Sequence, residues 1–387
     1  MRRLAWRAAL GRRGGAVRRG ALIALAWAGL AQAYPHFQLS SDVAICASCH
    51  VAPAGGGMLT DFGRDQSEDP LSGGGNGGLL HGLLKLPGWV RVSGDVRLAG
   101  LANAPGRAEG VELLAFPMQA DLSARLGTDV ISAVGSVGLR AIARQPQSNG
   151  AVVRPPAPPV LSREHYVIYR PDKTPFYVRA GRFFPPYGLR LADHTTYIRR
   201  DLGFDLEEEP YGLSAGSVSE TWEAHATGYV KDPLHAGGPG ELGGAALGEV
   251  RAGIAAIGLS GRAAFTAVDR RLQGGPYAKV WLEGPKLLLM AEADGVQQRF
   301  QVPGAPSRVQ LAAYAGPVWI PLRGLSVGAA YQTFVEDLAV AGTARHAVDL
   351  WASYLPISHV EVMLSARAQD IGGNRAWDAI LQLHYFL

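Results

Sequence analysis

Cys46, Cys49 and His50 stand together in the run CASCH, and the chain has no other cysteine. In C-x-x-C-H the two thiols add to the vinyl groups of a haem, and the imidazole ligates the iron from one face. A zinc site would need two more Cys or His ligands at comparable spacing, which the sequence does not offer. A short disulfide is the remaining alternative. We therefore expect one covalent c-type haem, with His50 as its proximal ligand.

The sixth position of the haem iron has several candidate ligands. Met58 offers a soft thioether that raises the reduction potential, whereas His36 or His81 would give a pair of lower potential. A methionine in a glycine-rich loop can also serve packing alone, and the position can stay open or take a distant ligand. We predict His50 and Met58 as the metal ligands.

The first 33 residues have the features of an export signal. They contain seven arginines and no acidic residue, an apolar run over 21–30, and the small-residue site Ala31-Gln32-Ala33. The apolar run is about ten residues long, whereas a transmembrane helix needs about 20. We predict a signal peptide over 1–33. Its loss leaves 30 basic against 33 acidic residues, so we expect no nucleic-acid partner.

The predicted mature chain divides into two parts. Residues 34–86 hold the haem motif and are marginal for an independent core, because they are few and rich in glycine. The stretch 71–88, which includes the end of this part, is so rich in glycine that it predicts a flexible tether. Residues 87–387 make up the second part.

Apolar and polar residues alternate through much of the second part. In RVSGDVRLA, Val96 and Leu98 share one face while Asp95 and Arg97 share the other. The same period recurs in TWEAHATGYV, in HVEVMLSARAQ and in MQADLSARL, where it puts Met118 on the apolar face. A period of two predicts strands with one apolar face. After the signal no apolar stretch reaches 18 residues, so we expect no transmembrane helix.

Sixteen strands follow from this pattern. They are predicted near 89–99, 111–126, 129–142, 163–170, 175–184, 210–219, 222–230, 245–257, 261–270, 276–283, 286–294, 308–316, 322–335, 345–354, 359–368 and 374–387. Connections after even-numbered strands are short, and those after odd-numbered strands are mostly long. This asymmetry is typical of outer-membrane barrels. We predict an all-β, antiparallel barrel of about 16 strands in the lipid of the outer membrane, with the haem segment at its periplasmic mouth.

Arginines on the polar face could meet such a haem. Arg91, Arg97 and Arg125 are predicted to face the lumen, and Arg64 lies beside the haem motif. A guanidinium matches the geometry of a haem propionate. Ordinary lumen charge is the alternative role of these side chains.

Two stretches resemble known families. CASCHVAPAGGGMLTDFGR followed by a barrel resembles the fused cytochrome-porins, outer-membrane monohaem proteins of which some are iron(II) oxidases that carry electrons inward. The residues that carry this resemblance are Cys46, Cys49, His50, Pro53, Leu59, Phe62, Gly63 and Arg64. DQSEDPLSGGG then departs from the aromatic continuation of that family. VRAGRFFPPYGLRLADHTTYIRR, residues 178–200, is similar to a segment of porin-like barrels.

Two further stretches could indicate a hydrolase site or a cation site. GLSAG, residues 212–216, matches a nucleophile elbow but lies in an alternating strand with no helix after it, so we expect no hydrolase site. DLEEEPYG, residues 205–212, predicts a solvated acidic loop, or else hard oxygen ligands for iron or another cation at the outer surface together with Asp193 and His194.

Three functions fit the sequence. The leading one is electron transfer between an extracellular donor or acceptor, iron being one candidate, and a periplasmic electron carrier. The second is a diffusion porin whose haem segment is a plug or a redox sensor. The third is a soluble periplasmic cytochrome with a β-rich partner domain, which the loop asymmetry disfavours.

Overall fold

An antiparallel sheet closes on itself into a barrel. The computed structural model describes residues 34–41, 43, 45–104, 110–139, 160–205, 208–230 and 240–387, so the predicted signal peptide lies outside the described residues. Strand β1 pairs with β2 on one side and with β17 on the other, which closes the sheet. The strands are β1 Val90–Ala104, β2 Glu112–Gly127, β3 Ile131–Leu139, β4 Val160–Leu161, β5 His165–Tyr169, β6 Phe176–Arg182, β7 Tyr211–Val218, β8 Trp222–Val230, β9 Leu242–Ala252, β10 Ala255–Phe265, β11 Asp269–Leu282, β12 Leu287–Phe300, β13 Arg308–Leu322, β14 Leu325–Val335, β15 Ala344–Ile357, β16 Val360–Ile371 and β17 Asn374–Phe386. In this part of the chain β4 is a two-residue addition beside β3, and the other sixteen strands confirm the predicted barrel.

The wall is apolar outside and polar inside. Outward side chains such as Leu259 and Leu381 are 65% and 56% exposed, whereas the inward side chains of Glu249 and Gln332 are buried. Alternation along each strand produces this division, because successive side chains leave opposite faces. A continuous apolar exterior is what a bilayer requires of a barrel. No helix among the described residues is long and apolar enough to cross a membrane.

The two ends of the barrel differ as predicted. Turns such as 253–254, 323–324 and 358–359 connect strands at one end, where the strand leading to Leu387 also finishes. The opposite end has longer connections, of which 183–210 is the longest with most of its residues described. In outer-membrane barrels the short turns are periplasmic. We therefore call the short-turn end the periplasmic mouth.

Strand bounds in one region differ from the prediction. The predicted strand 245–257 crosses a real turn at Gly253, whose φ is +55°, and the predicted break near Gly258 lies inside β10. Gly258 is a packing site, because a Cβ there would lie 2.2 Å from the Tyr277 ring. A glycine that suggests a turn in the sequence thus makes room for an aromatic side chain inside the barrel.

Met118 faces the lumen, contrary to the predicted alternation. Arg97 pairs with Gln119 and Leu98 pairs with Pro117, so Met118 is the additional residue of a β-bulge. Both Met118 and Gln119 are buried on the inner side. The bulge shifts the face of every residue before it in β2, which an alternating pattern alone does not reveal.

In the described part of the chain, four short helices lie within the barrel or at its mouth. Three come from the segment before β1: α1 Phe37–Ser40, α2 Cys46–Cys49 and α3 Asp61–Glu68. The fourth, α4 Tyr197–Arg200, belongs to residues 183–205, which we call the lumen loop. The lumen loop and residues 34–86, which we call the N-terminal segment, together occupy space that a sixteen-strand wall would otherwise leave to water.

Candidate functional site

The haem motif forms a single helical turn. Cys46 and Cys49 begin and end α2, and the His50 amide donates to the Cys46 carbonyl at 3.0 Å. Residues three apart on a helix lie on one face, so the two side chains are neighbours. Both thiols are free. The turn therefore presents two thiols side by side, directly followed by an imidazole.

A second helix fixes this turn in place. The Thr60 amide donates to the Cys49 carbonyl at 2.9 Å, and the Thr60 hydroxyl both donates to the Ser48 carbonyl and accepts from the Gly63 amide at the start of α3. A Cβ on Gly63 would lie 2.1 Å from the Cys49 carbonyl oxygen. Only glycine allows α3 to approach the motif this closely.

His50 and Met58 lie on opposite faces of a small antiparallel ladder. His50 pairs with Leu59, and the Val51 amide donates to the Met58 carbonyl at 2.9 Å. Directly paired residues share a face, and the next pair takes the other one. Met58 accordingly packs with Val51 against the buried wall residues Val134, Tyr166, Ile168, Tyr177 and Phe183.

The two histidine candidates for the sixth position lie elsewhere. The ring of His36 is buried 5.7 Å from Trp351, and His81 lies at the periplasmic mouth, 4.9 Å from the ring of His359. Met58 borders the same cavity as the cysteines, but neither histidine does. In the described part of the chain, Met58 is therefore the predicted sixth ligand that shares a cavity with His50.

Side chains of the wall and the lumen loop hold the N-terminal segment. Tyr34 donates to Glu361 at 2.9 Å, Gln38 donates to Glu249 at 2.9 Å, and Arg190 donates to the Ala54 carbonyl at 3.2 Å. Arg170 and Arg64 donate to the carbonyls of Val51 and Val92. These contacts come from several sides of the barrel, so the segment is part of the lumen.

The predicted tether is partly bonded to the barrel. The Gly73 amide donates to the Leu355 carbonyl at 2.8 Å, and the Ser358 amide donates to the Gly74 carbonyl at 2.7 Å. A Cβ on Gly73 would lie 2.5 Å from the Pro356 carbonyl oxygen. Glycine at this position serves close backbone contact as well as chain flexibility.

The lumen loop crosses the barrel. Tyr187 donates to Asp294 of β12 at 2.6 Å, the Tyr197 amide donates to Gln332 of β14 at 2.8 Å, and the Leu202 carbonyl accepts from Arg262 of β10 at 2.6 Å. Its apolar side chains form a core with the inner wall. The members from the loop are Tyr187, Leu189, Leu191, Tyr197, Ile198, Leu202 and Phe204. The loop therefore closes much of the lumen above the haem motif.

A cavity of about 260 Å³ lies between the N-terminal segment, the loop and the wall. Cys46, Cys49 and His50 all line it, together with the rings of Phe184 and Tyr187. Its arginines are Arg97, Arg163, Arg179, Arg190 and Arg199. The cavity thus combines the haem motif, apolar rings and several guanidinium groups.

Arg97 is the predicted lumen arginine that lines this cavity. Its charge faces Asp95 at 3.4 Å, and its buried Nε makes no hydrogen bond of normal geometry. Arg91 instead pairs with Asp61 at 2.6 Å, and Arg125 pairs with Asp129 at 2.9 Å. Arg179, Arg190 and Arg199 fall in the stretch 178–200 that is similar to porin-like barrels, but nothing in the sequence links them or Arg163 to a haem.

Burial sets the protonation of the motif. Burial raises the pKa of the Cys49 thiol to about 11, helped by Cys46, whose own pKa is also raised by burial. Burial lowers the pKa of His50 to about 4, although the backbone of Gly56 and Gly57 opposes the shift. The thiols are therefore protonated and poorly nucleophilic at neutral pH, and the imidazole is in the neutral form that ligates metals.

The acidic run after the lumen loop turns inward. Asp205, Glu208 and Glu209 are buried. The carboxylate of Asp205 lies 2.7 Å from His194 Nδ1. The expectation of a solvated acidic surface is therefore wrong for these three residues. Among the described residues no group of three or more His, Cys, Asp or Glu side chains is placed to hold a metal ion.

The barrel resembles solved porins. OmpT of Vibrio cholerae matches with a TM-score of 0.57 and 11% identity over 79% of this chain and 99% of that one. The anion-selective porin of Comamonas acidovorans matches at 0.56 and 10% over 77% and 99%, and OprB of Pseudomonas putida matches at 0.55 and 11% over 77% and 94%. No family model and no curated protein matches the chain. The shared fold, with the apolar outer wall, confirms the predicted porin-like barrel of the outer membrane.

Proposed function

We propose that this barrel carries one covalent c-type haem on Cys46 and Cys49, with His50 as proximal ligand, and moves electrons across the outer membrane. One partner would be an extracellular donor or acceptor and the other a periplasmic electron carrier. The observation that carries the proposal is that all three residues of the motif line one cavity inside a membrane-spanning barrel. A redox group at this position would lie between the two sides of the membrane.

The residues present fit such a group. The two thiols share one helical turn, the following imidazole is half-buried, and its Nδ1 makes no hydrogen bond of normal geometry. Rings of Phe184 and Tyr187 border the same cavity and suit an apolar macrocycle. A haem bound here would supply one-electron chemistry through its iron.

The chain's own residues would tune and protect the group. Arg97 would offer its guanidinium to a propionate, for which the fork geometry is well matched. The lumen loop excludes bulk water from above, since its apolar core packs against the wall. A low local dielectric strengthens every charge around the cavity. The sixth ligand stays open in this proposal, and Met58, which lines the same cavity as His50, remains its first candidate.

The resemblance to cytochrome-porins suggests iron(II) as an external donor. No cluster of ligands in the described residues supports a dedicated iron site. We therefore propose a small external reductant or acceptor as the substrate class, with iron(II) as the first donor to test.

Diffusion of solutes is the second candidate function, and the likeness to porins favours it. Against it stand the N-terminal segment and the lumen loop, which follows β6 and bonds to β10, β12 and β14. Both occupy the path that a solute would take.

Haem attachment is tested on protein expressed with a cytochrome c maturation system and purified from outer membranes. A pyridine haemochrome spectrum should give one haem per chain, and the haem stain should stay with the polypeptide after denaturation. Cys46→Ala should abolish full attachment, whereas Ser48→Ala, which keeps both thiols, should retain it. Colour that acidified acetone extracts completely from the wild-type protein would overturn the proposal.

A further inference from the structure

A second cavity, of about 130 Å³, lies on the other side of Tyr34 and Pro35 from the haem motif. Tyr34, Pro35 and Arg97 line both cavities, so the two are neighbours. The lumen loop contributes residues 191–196 to its lining. The rest of its lining comes largely from the inner faces of β12 to β17.

An imidazole nitrogen without a partner faces this cavity. His194 is 2% exposed, and its Nδ1 lies 2.7 Å from the Asp205 carboxylate. Its Nε2 is buried and has no hydrogen-bond partner among the described residues. His194 lines the cavity and Asp205 does not, so Nε2, at the opposite side of the ring, points into the cavity.

The carboxylate fixes the role of this nitrogen. An ionised carboxylate only accepts hydrogen bonds, so in the neutral imidazole Nδ1 carries the shared proton and Nε2 presents its lone pair. A buried acceptor left without a donor costs about 1–3 kcal/mol. The cavity is therefore prepared for a group that donates a hydrogen bond at this point.

The charged side chains of the remaining lining already have ionic partners, and among them Arg97 faces Asp95 at 3.4 Å. Asp193 and Asp349 both pair with Arg367, at 3.0 and 2.5 Å, so their charges are already compensated. No set of three His, Cys, Asp or Glu ligands among the described residues surrounds the space. Apolar and aromatic side chains supply much of the rest, among them Leu191, Met290, Tyr314, Trp351 and Ile380.

We propose that this cavity binds an uncharged, single-ring aromatic alcohol, of the phenol or hydroquinone class, whose hydroxyl donates to His194 Nε2. The ring packs against the apolar part of the lining, and the hydroxyl donates to the unpartnered imidazole nitrogen. The inference does not depend on the haem, although a bound aromatic alcohol would lie next to the haem cavity.

The test uses two fluorinated probes that differ in one hydroxyl. Binding of 4-fluorophenol and of fluorobenzene to the purified, detergent-solubilised full-length protein is followed by fluorine NMR titration. We expect the alcohol to bind about tenfold more tightly, which corresponds to one hydrogen bond to a buried acceptor. Equal affinities in the wild-type protein would overturn the proposal and leave water as the partner of Nε2. This comparison needs no variant.

Two variants then locate the site. His194→Phe keeps a ring and removes the acceptor, so it should abolish the preference for the alcohol. His359→Phe is the matched control, because His359 is also buried with an unpartnered Nδ1 but lines neither cavity. Heat-dependent migration on gels confirms that each barrel is folded. A tenfold preference that survives in His194→Phe, or one that disappears equally in His359→Phe, would contradict the assignment.

Discussion

The guanidinium of Arg190 donates a hydrogen bond of 3.2 Å to the carbonyl oxygen of Ala54. Arg190 lies in the lumen loop, and Ala54 lies in the turn that follows the haem motif. The same side chain faces the carboxylate of Glu223 on the barrel wall at 2.7 Å. One guanidinium therefore connects the N-terminal segment, the lumen loop and the wall. The position of the haem motif depends on all three.

Loss of the Arg190 charge should destabilise the barrel strongly. Arg190→Met leaves Glu223, which is 1% exposed, without its nearest cation, and an uncompensated buried charge costs about 3–5 kcal/mol. Arg251 remains 3.5 Å away and compensates the charge in part. We therefore expect the free energy of unfolding, measured with urea, to fall by about 3 kcal/mol, the lower end of this range.

The double variant Arg190→Met/Glu223→Gln is the control for this effect. It removes both charges and should recover more than half of the loss, since the pair interacts directly. If the double variant loses as much stability as Arg190→Met and Glu223→Gln together, the two side chains do not interact.

Gly63→Ala should impair haem attachment without affecting the barrel. The added methyl group would lie 2.1 Å from the Cys49 carbonyl oxygen, so α3 must move away from the motif. We expect less than half of the wild-type haem per chain by pyridine haemochrome, with unchanged barrel assembly on gels. Asp65→Ala, on the exposed side of the same helix, should bind haem as the wild type does. Full haem content in Gly63→Ala would contradict the proposed packing.

Arg97→Gln should lower the reduction potential of the haem. A buried cation near the haem favours the reduced form, which carries one positive charge less. For a one-electron couple about 60 mV corresponds to a tenfold change in the equilibrium constant, and we expect a shift of that order. Arg125→Gln is the matched control, because Arg125 pairs with Asp129 outside the cavity. The potentials are measured by spectroelectrochemical titration. Equal values in both variants and the wild type would show that the charge of Arg97 does not act on the haem.

Deletion of residues 34–86 should open the barrel in part. These residues fill the periplasmic half of the lumen, whereas the lumen loop remains attached to β10, β12 and β14. In liposome-swelling assays we expect slow entry of small sugars for the wild type and faster entry for the deletion. Rapid swelling with the wild-type protein would instead favour the diffusion porin.

The barrel could be predicted because its signal is local. Alternation along Trp222–Val230 and the short turns at one end follow from the requirement for one apolar face and one polar face. The haem motif was also visible, since three adjacent residue types define it. These predictions required no knowledge of long-range contacts.

The lumen loop could not be placed from the sequence by the same reasoning. Its length and its buried aromatic residues, such as Tyr187 and Phe204, are a signal, because a long connection rich in apolar side chains needs a surface to bury them. Which wall they meet depends on strand register. For the same reason Met118 was assigned to the wrong face, since a bulge depends on pairing between strands.

The most direct test of the account is electron transfer by the intact protein into sealed liposomes. The liposomes enclose an oxidised dye, and iron(II) or another small membrane-impermeant reductant is added outside. The wild-type protein should reduce the dye, and His50→Ala should do so more slowly by about tenfold or more, because it loses the proximal ligand while the wall stays intact. His359→Ala, a buried histidine outside the haem cavity, should keep the wild-type rate. Dye reduction that is the same in His50→Ala and the wild type would contradict a haem-borne electron path through this barrel.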